Sequence, residues 1–283
     1  MRSSNRVLGV YCLKTTSRDV AKAIRRLGLS GSSLCAHSSL QSFGWVEGGA
    51  SAVVNGLLAE GCTVMVPTFS YAFGIPPPPN MRPTRNGWNY AESIGPTSGI
   101  GLVYDQDTKL IDSDMGAIPT EIVNRPDRIR GNHMLDSFSA VGPLAHELIS
   151  GQEPMNVFAP LNALAEKNGS VILMGVGLER MTLIHLAERR AGRNLFLRWA
   201  NGYDKRPMEV EAGGCSDGFG NLKPILFPLM RETRVSQSLW RVFPARAVLE
   251  VAERAIRENP VLTHCANSAC IRCNDAILGG PIL

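Results

Sequence analysis

His185 and Glu188 stand three residues apart in the string LIHLAE, and on a helix that spacing puts both side chains on one face. A carboxylate so placed fixes the imidazole tautomer and stabilises its charged form, which makes the histidine a competent general base. Such a pair is ordinarily a surface contact, so spacing alone decides nothing. A second set lies near the C-terminal end. Cys270 and Cys273 form a CxxC, His264 precedes them by six residues, and Cys215 lies upstream. Three thiolates and an imidazole are a standard structural zinc set, and a CxxC in a turn chelates one metal. The same residues are compatible with a redox pair or with buried thiols. A third group is His37, Ser38 and Ser39, at a strand end before a glycine-bearing turn and a helix. Backbone N–H groups and hydroxyls there suit an anion such as a pyrophosphate, and they equally suit helix capping. Neighbours on a strand point to opposite faces, so His37 and Ser38 do not make a nucleophile pair.

These residues need elements to hold them. Residues 171–174 (VILM) are an apolar run of strand composition, Gly175 and Gly177 break it, and 181–190 read as a helix. A strand that delivers a helix through a glycine turn is how α/β folds present chemistry. Earlier in the chain, Ser17 is expected to cap a helix that buries Val20, Ala21, Ile24 and Leu27 and stops at Gly28. Residues 33–37 read as a strand, 48–61 as a helix and 63–67 as a strand, which is a β-α-β unit. Periodicity disappears between residues 70 and 111, where Pro76, Pro77, Pro78 and Pro79 run consecutively. A loop of that length inside a compact fold is usually functional or mobile. Helices are expected at 118–124 and 141–150, and strands within 195–211. Residues 244–258 read as an amphipathic helix with Val248, Leu249, Ala252, Ala255 and Ile256 on one stripe. The fold class expected is α/β, a single domain over residues 1–283. Its central, mainly parallel sheet is flanked by helices and carries a long loop excursion and a C-terminal appendage.

Composition excludes some partners. Hydrophobic content of 44% and charged content of 19% are those of a soluble globule. The net charge of +4 is spread along the chain without a Lys/Arg block, so nucleic acid is not expected, whereas an anionic cofactor is suited. No apolar run approaches the ~18 residues of a membrane span, and residues 7–13 are too short for a secretory core, so a cytoplasmic location is expected. Seven cysteines without a signal peptide argue against a disulfide framework. Cys12, Cys35 and Cys62 are expected to be buried free thiols, and His146 a surface residue.

Four stretches, in order, carry a resemblance. They are AHSSLQSFGWVEGG at 36–49, MGAIPTEIVNRPDRIRGNHMLDSFSAVGPLA at 115–145, FAPLNAL at 158–164 and GVGLERMTLIHLAE at 175–188. Together they resemble the aminoglycoside 3-N-acetyltransferase family over residues 17 to 275. The resemblance implies transfer of an acetyl group from acetyl-CoA to an amine of an aminoglycoside, its 3-amino group on the deoxystreptamine ring, and so antibiotic resistance. It implies His185 as general base oriented by Glu188, with direct attack and no acyl-enzyme. Acetyl-CoA is then expected along His37, Ser38, Ser39, Leu40, Ser42 and Gly44, beside Pro67 and Thr68, and near Arg130, Ser137 and Phe138. His133 is expected to be structural, donating a hydrogen bond that shapes the cofactor channel.

A polycationic substrate calls for carboxylates. Asp112 and Asp114 border the long loop, Glu211 and Asp217 follow the strand pair, and a solvated acidic face is the plain alternative for the first two. The apramycin-acetylating branch is similar around Cys215, His264, Cys270 and Cys273, which implies a structural zinc, with Cys265 spare or replacing His264. Departures from the family pattern at Met181 and Ala159 lie toward the amine side and point to an unusual amine. Replacement of Glu188 by Gln is expected to be milder than loss of His185. A coenzyme A-binding protein without turnover, an acetyltransferase of another amine and a zinc-dependent hydrolase are the rival readings. The assembly expected is a monomer or homodimer.

Overall fold

A computed structural model describes residues 14–282. Cys12 and the apolar run at 7–13 lie outside them. Helix α1 (Ser17–Arg26) starts one residue later than its cap, which is Thr16 and not Ser17. The Thr16 hydroxyl accepts from Asp19 N–H while Asp19 accepts from Thr16 N–H, so the cap is the residue whose side chain satisfies the first-turn donors. Strand β1 (Ser33–Ser38), helix α2 (Gly49–Leu58) and strand β2 (Thr63–Pro67) form the expected β-α-β unit, with β1 and β2 parallel.

Helix α3 (Ala117–Asn124) follows the long loop, and strands β3 (Ile129–Arg130) and β4 (Phe138–Val141) come next. The helix expected at 141–150 is shorter, α4 (Ala145–Ile149), because Val141 belongs to a strand paired antiparallel with Val64. Tertiary pairing there overrides local pattern. Gly142 (φ +111°) makes the turn between them, and a Cβ on it would lie 2.7 Å from the Cys62 carbonyl oxygen. Helix α5 (Ala159–Glu166), strand β5 (Ser170–Met174) and helix α6 (Leu183–Arg190) complete the central unit. Strands β6 (Phe196–Asn201) and β7 (Pro207–Ala212) are an antiparallel pair. A second hairpin, β8 (Arg231–Val235) and β9 (Ser238–Pro244), precedes α7 (Ala245–Glu258), and α8 (Ile271–Ile277) ends the described chain. The β8–β9 hairpin is absent from the sequence reading.

The large sheet has the order β8-β9-β5-β1-β2-β4-β3. Its centre, β5-β1-β2, is parallel, and only β9 and β4 run against the common direction. Alternation divides the core: Val171 and Leu173 pack toward α4–α7, while Ile172 and Met174 pack toward α1–α3. Six apolar residues of β5 and β9 that face the cores are wholly inaccessible, among them Trp240 against Phe43. No helix among the described residues is long and apolar enough to cross a membrane.

The long loop is not a free excursion. Gly74 and Ile75 pair with Ala200 and Trp199 of β6, extending β6–β7 into a small sheet. Asn86 exchanges two hydrogen bonds with the Leu197 backbone, and Arg85 donates to the carbonyls of Gly280 and Leu278. The loop, the small sheet and the C-terminal tail are thereby one layer, laid over the end of the large sheet where β1, β2 and β5 terminate.

Candidate active site

The C-terminal ends of three parallel strands open into a cavity of about 940 Å³ lined by His37, Ser38 and Ser39 after β1, Pro67 and Phe69 after β2, and Val176 after β5. Gly175 (φ +71°) turns the chain out of β5, and a Cβ there would sit 2.1 Å from Ser42 Oγ. A single turn of 3-10 helix (Leu178–Arg180) and Thr182 then lead into α6, whose third residue is His185.

His185 and Glu188 are both 7% exposed, and the imidazole Nδ1–H donates to Glu188 Oε2 at 2.8 Å. The other oxygen, Oε1, accepts from Arg193 Nη1 at 2.5 Å and from Thr263 Oγ1 at 2.7 Å. Arg193 also donates to the Thr263 hydroxyl and to the Pro260 carbonyl. The carboxylate therefore has a buried cation on one side and the imidazole on the other, which fixes both its rotamer and the histidine tautomer. Nε2 is left as the acceptor. Phe158 stacks on the ring at 6.0 Å with 5° between planes, and Phe219 meets it edge-on at 4.7 Å. With one face and one edge packed, Nε2 opens to the cavity beside Gly213.

Gly213 is small for a reason. A Cβ on it would lie 2.9 Å from His185 Cδ2 and 3.1 Å from Nε2. Gly213→Ala is therefore expected to lower turnover by roughly 10-fold or more through displacement of the ring, since positional errors near 1 Å are costly. The melting temperature should move little, because Gly213 is only half-buried. Equal turnover in the variant would show that the ring's position is not critical.

Of the acetyl-CoA residues expected from the sequence, His37, Ser38, Ser39, Leu40, Gly44 and Pro67 line the cavity. Burial and the nearby Arg180 guanidinium hold His37 down to about 4. Ser42 lies behind the lining, donating to the Ser39 carbonyl and sharing a 2.7 Å hydrogen bond with Ser238. Thr68, Arg130, Ser137 and Phe138 are buried in the support. Arg130 donates to Ser137 Oγ and to the carbonyls of Thr68, Thr108 and Leu110, tying the long loop to the strand ends. His133 is neutral: burial pushes it down to about 4, Nε2–H donates to the Glu211 carbonyl, and Nδ1 accepts from Asp136 N–H.

Among the carboxylates expected on the amine side, Asp114 lines the cavity. Asp112 accepts from Tyr71 N–H, Glu211 is paired with Arg189 at 3.0 Å, and Asp217 lies beside the Cys215 thiol. Arg193, Thr263, Asp136 and the cavity-lining Arg180 and Arg272 escaped the sequence reading. Arg193 follows Glu188 by five residues, past the helix end, so no face periodicity points to it.

The C-terminal set differs from expectation in one ligand. Sulfurs of Cys215, Cys265, Cys270 and Cys273 all lie within 4.8 Å of one another. His264 is turned away, toward the Cys265 carbonyl at 2.7 Å and the Asn274 side chain at 3.0 Å, so Cys265 stands in its place. Cys270 is the residue before α8 and Cys273 lies in its first turn, which brings both thiols to one point.

A sequence model of aminoglycoside 3-N-acetyltransferases matches residues 35–257. The chain belongs to that family. Within it, the chain is 32% identical over 162 residues to aminoglycoside N(3)-acetyltransferase IX of Micromonospora chalcea, covering 55% of this chain and 54% of the relative. It is also 32% identical over 224 residues to aminoglycoside N(3)-acetyltransferase III of Salmonella sp, covering 72% and 74%. The first of these alignments thus spans about half the length of that relative. Among solved structures, the fold is that of aminoglycoside acetyltransferase AAC(3)-IVa, with a TM-score of 0.75 at 23% identity over 96% of this chain and all of that one. A coenzyme A complex of AAC-IIIb gives a TM-score of 0.68 at 20% identity over 87% and 97%.

Proposed function

We propose that this protein transfers the acetyl group of acetyl-CoA to an amine of an aminoglycoside, the 3-amino group of its deoxystreptamine ring, and so confers resistance. The observation that carries the reading is the His185 Nε2 acceptor, locked by Glu188 and opening into the cavity at the strand ends. Relatives named as N(3)-acetyltransferases and a fold shared with a coenzyme A complex support it.

In the reaction, the substrate nitrogen attacks the thioester carbonyl and forms the C–N bond. Nε2 accepts the proton that leaves the nitrogen, and the C–S bond then breaks. The thiolate takes the proton back from the imidazolium and departs as coenzyme A. Glu188 offsets the positive charge that the ring carries between these transfers. Arg180 and Arg272 give the cavity the positive charge that phosphates require. Use of acetyl-CoA as donor supports a cytoplasmic location. Thiol release from acetyl-CoA across an aminoglycoside panel tests the reading, and release from no member of the panel would overturn it.

We infer that the four-sulfur set holds a structural zinc. Four thiolates suit the ion, whose tetrahedral Zn–S bonds of about 2.3 Å bring sulfurs to about 3.8 Å apart, a small contraction from the spread seen here. When bound, zinc would crosslink the loop after β7 to the start of α8. Thr263 and Arg272, which reach Glu188 and the cavity, are on the segments so joined.

A further inference from the structure

Asp136 is 2% exposed, lines the cavity, and leaves Oδ1 without a hydrogen-bond partner. A buried carboxylate oxygen without a donor is costly and uncommon, so its retention asks for a ligand. Its backbone is pinned on both sides. His133 Nδ1 accepts from Asp136 N–H at 2.8 Å, and Gln152 Nε2 donates to the Asp136 carbonyl at 3.0 Å. Gln152 also binds Phe138 N–H and the Val157 carbonyl, so the whole turn before β4 is held rigid. The side chain is thus preorganised toward the chamber that contains His185.

We propose that Asp136 receives an ammonium group of the substrate, one that is not itself acetylated, and so selects for amines bearing at least two positive charges. This rests on the acetyltransferase reading above and names the charge class of its substrate. The reacting nitrogen must shed a proton to His185, and a carboxylate beside it would raise its affinity for that proton. A neighbouring ammonium gains from the same carboxylate without obstructing the chemistry. Nearby arginines are engaged elsewhere: Arg193 with Glu188, Arg130 with four oxygen acceptors, and Arg198 with the Asn86 and Leu197 carbonyls.

The Tyr71 hydroxyl and the Gly213 N–H are hydrogen-bond donors toward the carboxylate, Oδ1 is the oxygen left unmatched, and the His185 ring and Arg198 lie near it. Burial outweighs all four and holds Asp136 up to about 6. An aspartate raised in the folded state costs nothing below its unfolded value near 4 and its full penalty above about 6.

The test is Asp136→Asn, read in two ways. With aminoglycoside as variable substrate, its KM should rise at least ~10-fold, with the KM for acetyl-CoA and the turnover number changed less than about threefold. Calorimetric binding of apramycin should weaken by the same factor, a readout that needs no turnover. The variant should also melt higher than the parent at pH 8, with the gap closing by pH 4. Unchanged KM and binding would overturn the proposal, as would reduced turnover at unchanged amine KM, which would mean that Asp136 acts through His185. A parent that binds apramycin without acetylating it overturns the acetyltransferase reading and leaves the binding comparison to decide Asp136.

Discussion

His185→Ala is expected to lower turnover by ~10² to 10⁴-fold, with little change in the KM for acetyl-CoA. Nε2 is the acceptor that opens beside Gly213, and the nearby Asp136 carboxylate is assigned to a non-reacting ammonium. His37 lines the same cavity from the end of β1, but burial holds it at about 4. The geometry also changes the expectation for Glu188→Gln. Oε1 receives two donors, from Arg193 and Thr263, so an amide must place its oxygen there. Its NH₂ then faces His185 Nδ1, which must become an acceptor, and the ring proton moves to Nε2. The base is lost although its shape is kept, so this variant should approach the alanine one instead of being mild. Turnover ratios and pH profiles of both variants check this. Near-parental turnover with an unchanged profile in His185→Ala would remove histidine from the mechanism.

Removing the zinc proposed for the four-cysteine set is expected to cost several kcal/mol of stability and most of the activity together. Structural zinc contributes folding energy directly because its ligands converge only in the folded chain. The structure couples stability and activity: Thr263 stands two residues before Cys265 and donates to buried Glu188, and Arg272 lies inside the CxxC and lines the cavity. Loosening that tail would leave Glu188 one donor short and expose the Arg193 pair to water. Cys273→Ser should reproduce the effect of a strong chelator. Metal analysis, melting temperature and turnover, measured on one preparation, provide the check. Protein purified without added zinc that holds almost none, with all its described thiols reactive in the native state, would sink the assignment.

The local grammar of the chain was enough for the β1–α2–β2 unit, the strand-turn-helix at 170–190 and the His185–Glu188 pair. Each rests on periodicity or spacing within one or two elements, and residues three apart on a helix must share a face wherever that helix packs. It was enough, too, to bring Cys270 and Cys273 to one point. What closes each site comes from elsewhere in the chain. Glu188 is completed by Thr263, 75 residues on, and Asn86 of the long loop docks on Leu197, 111 residues on. The fourth sulfur is Cys265 and not the adjacent His264, a choice set by how the tail turns before α8. Asp136 reads in sequence as one polar residue before a strand, and only the docking of His133, Gln152 and the Tyr71 loop buries it. Local pattern encodes which face a residue occupies, whereas burial and unmet hydrogen-bonding capacity depend on which distant segment covers that face.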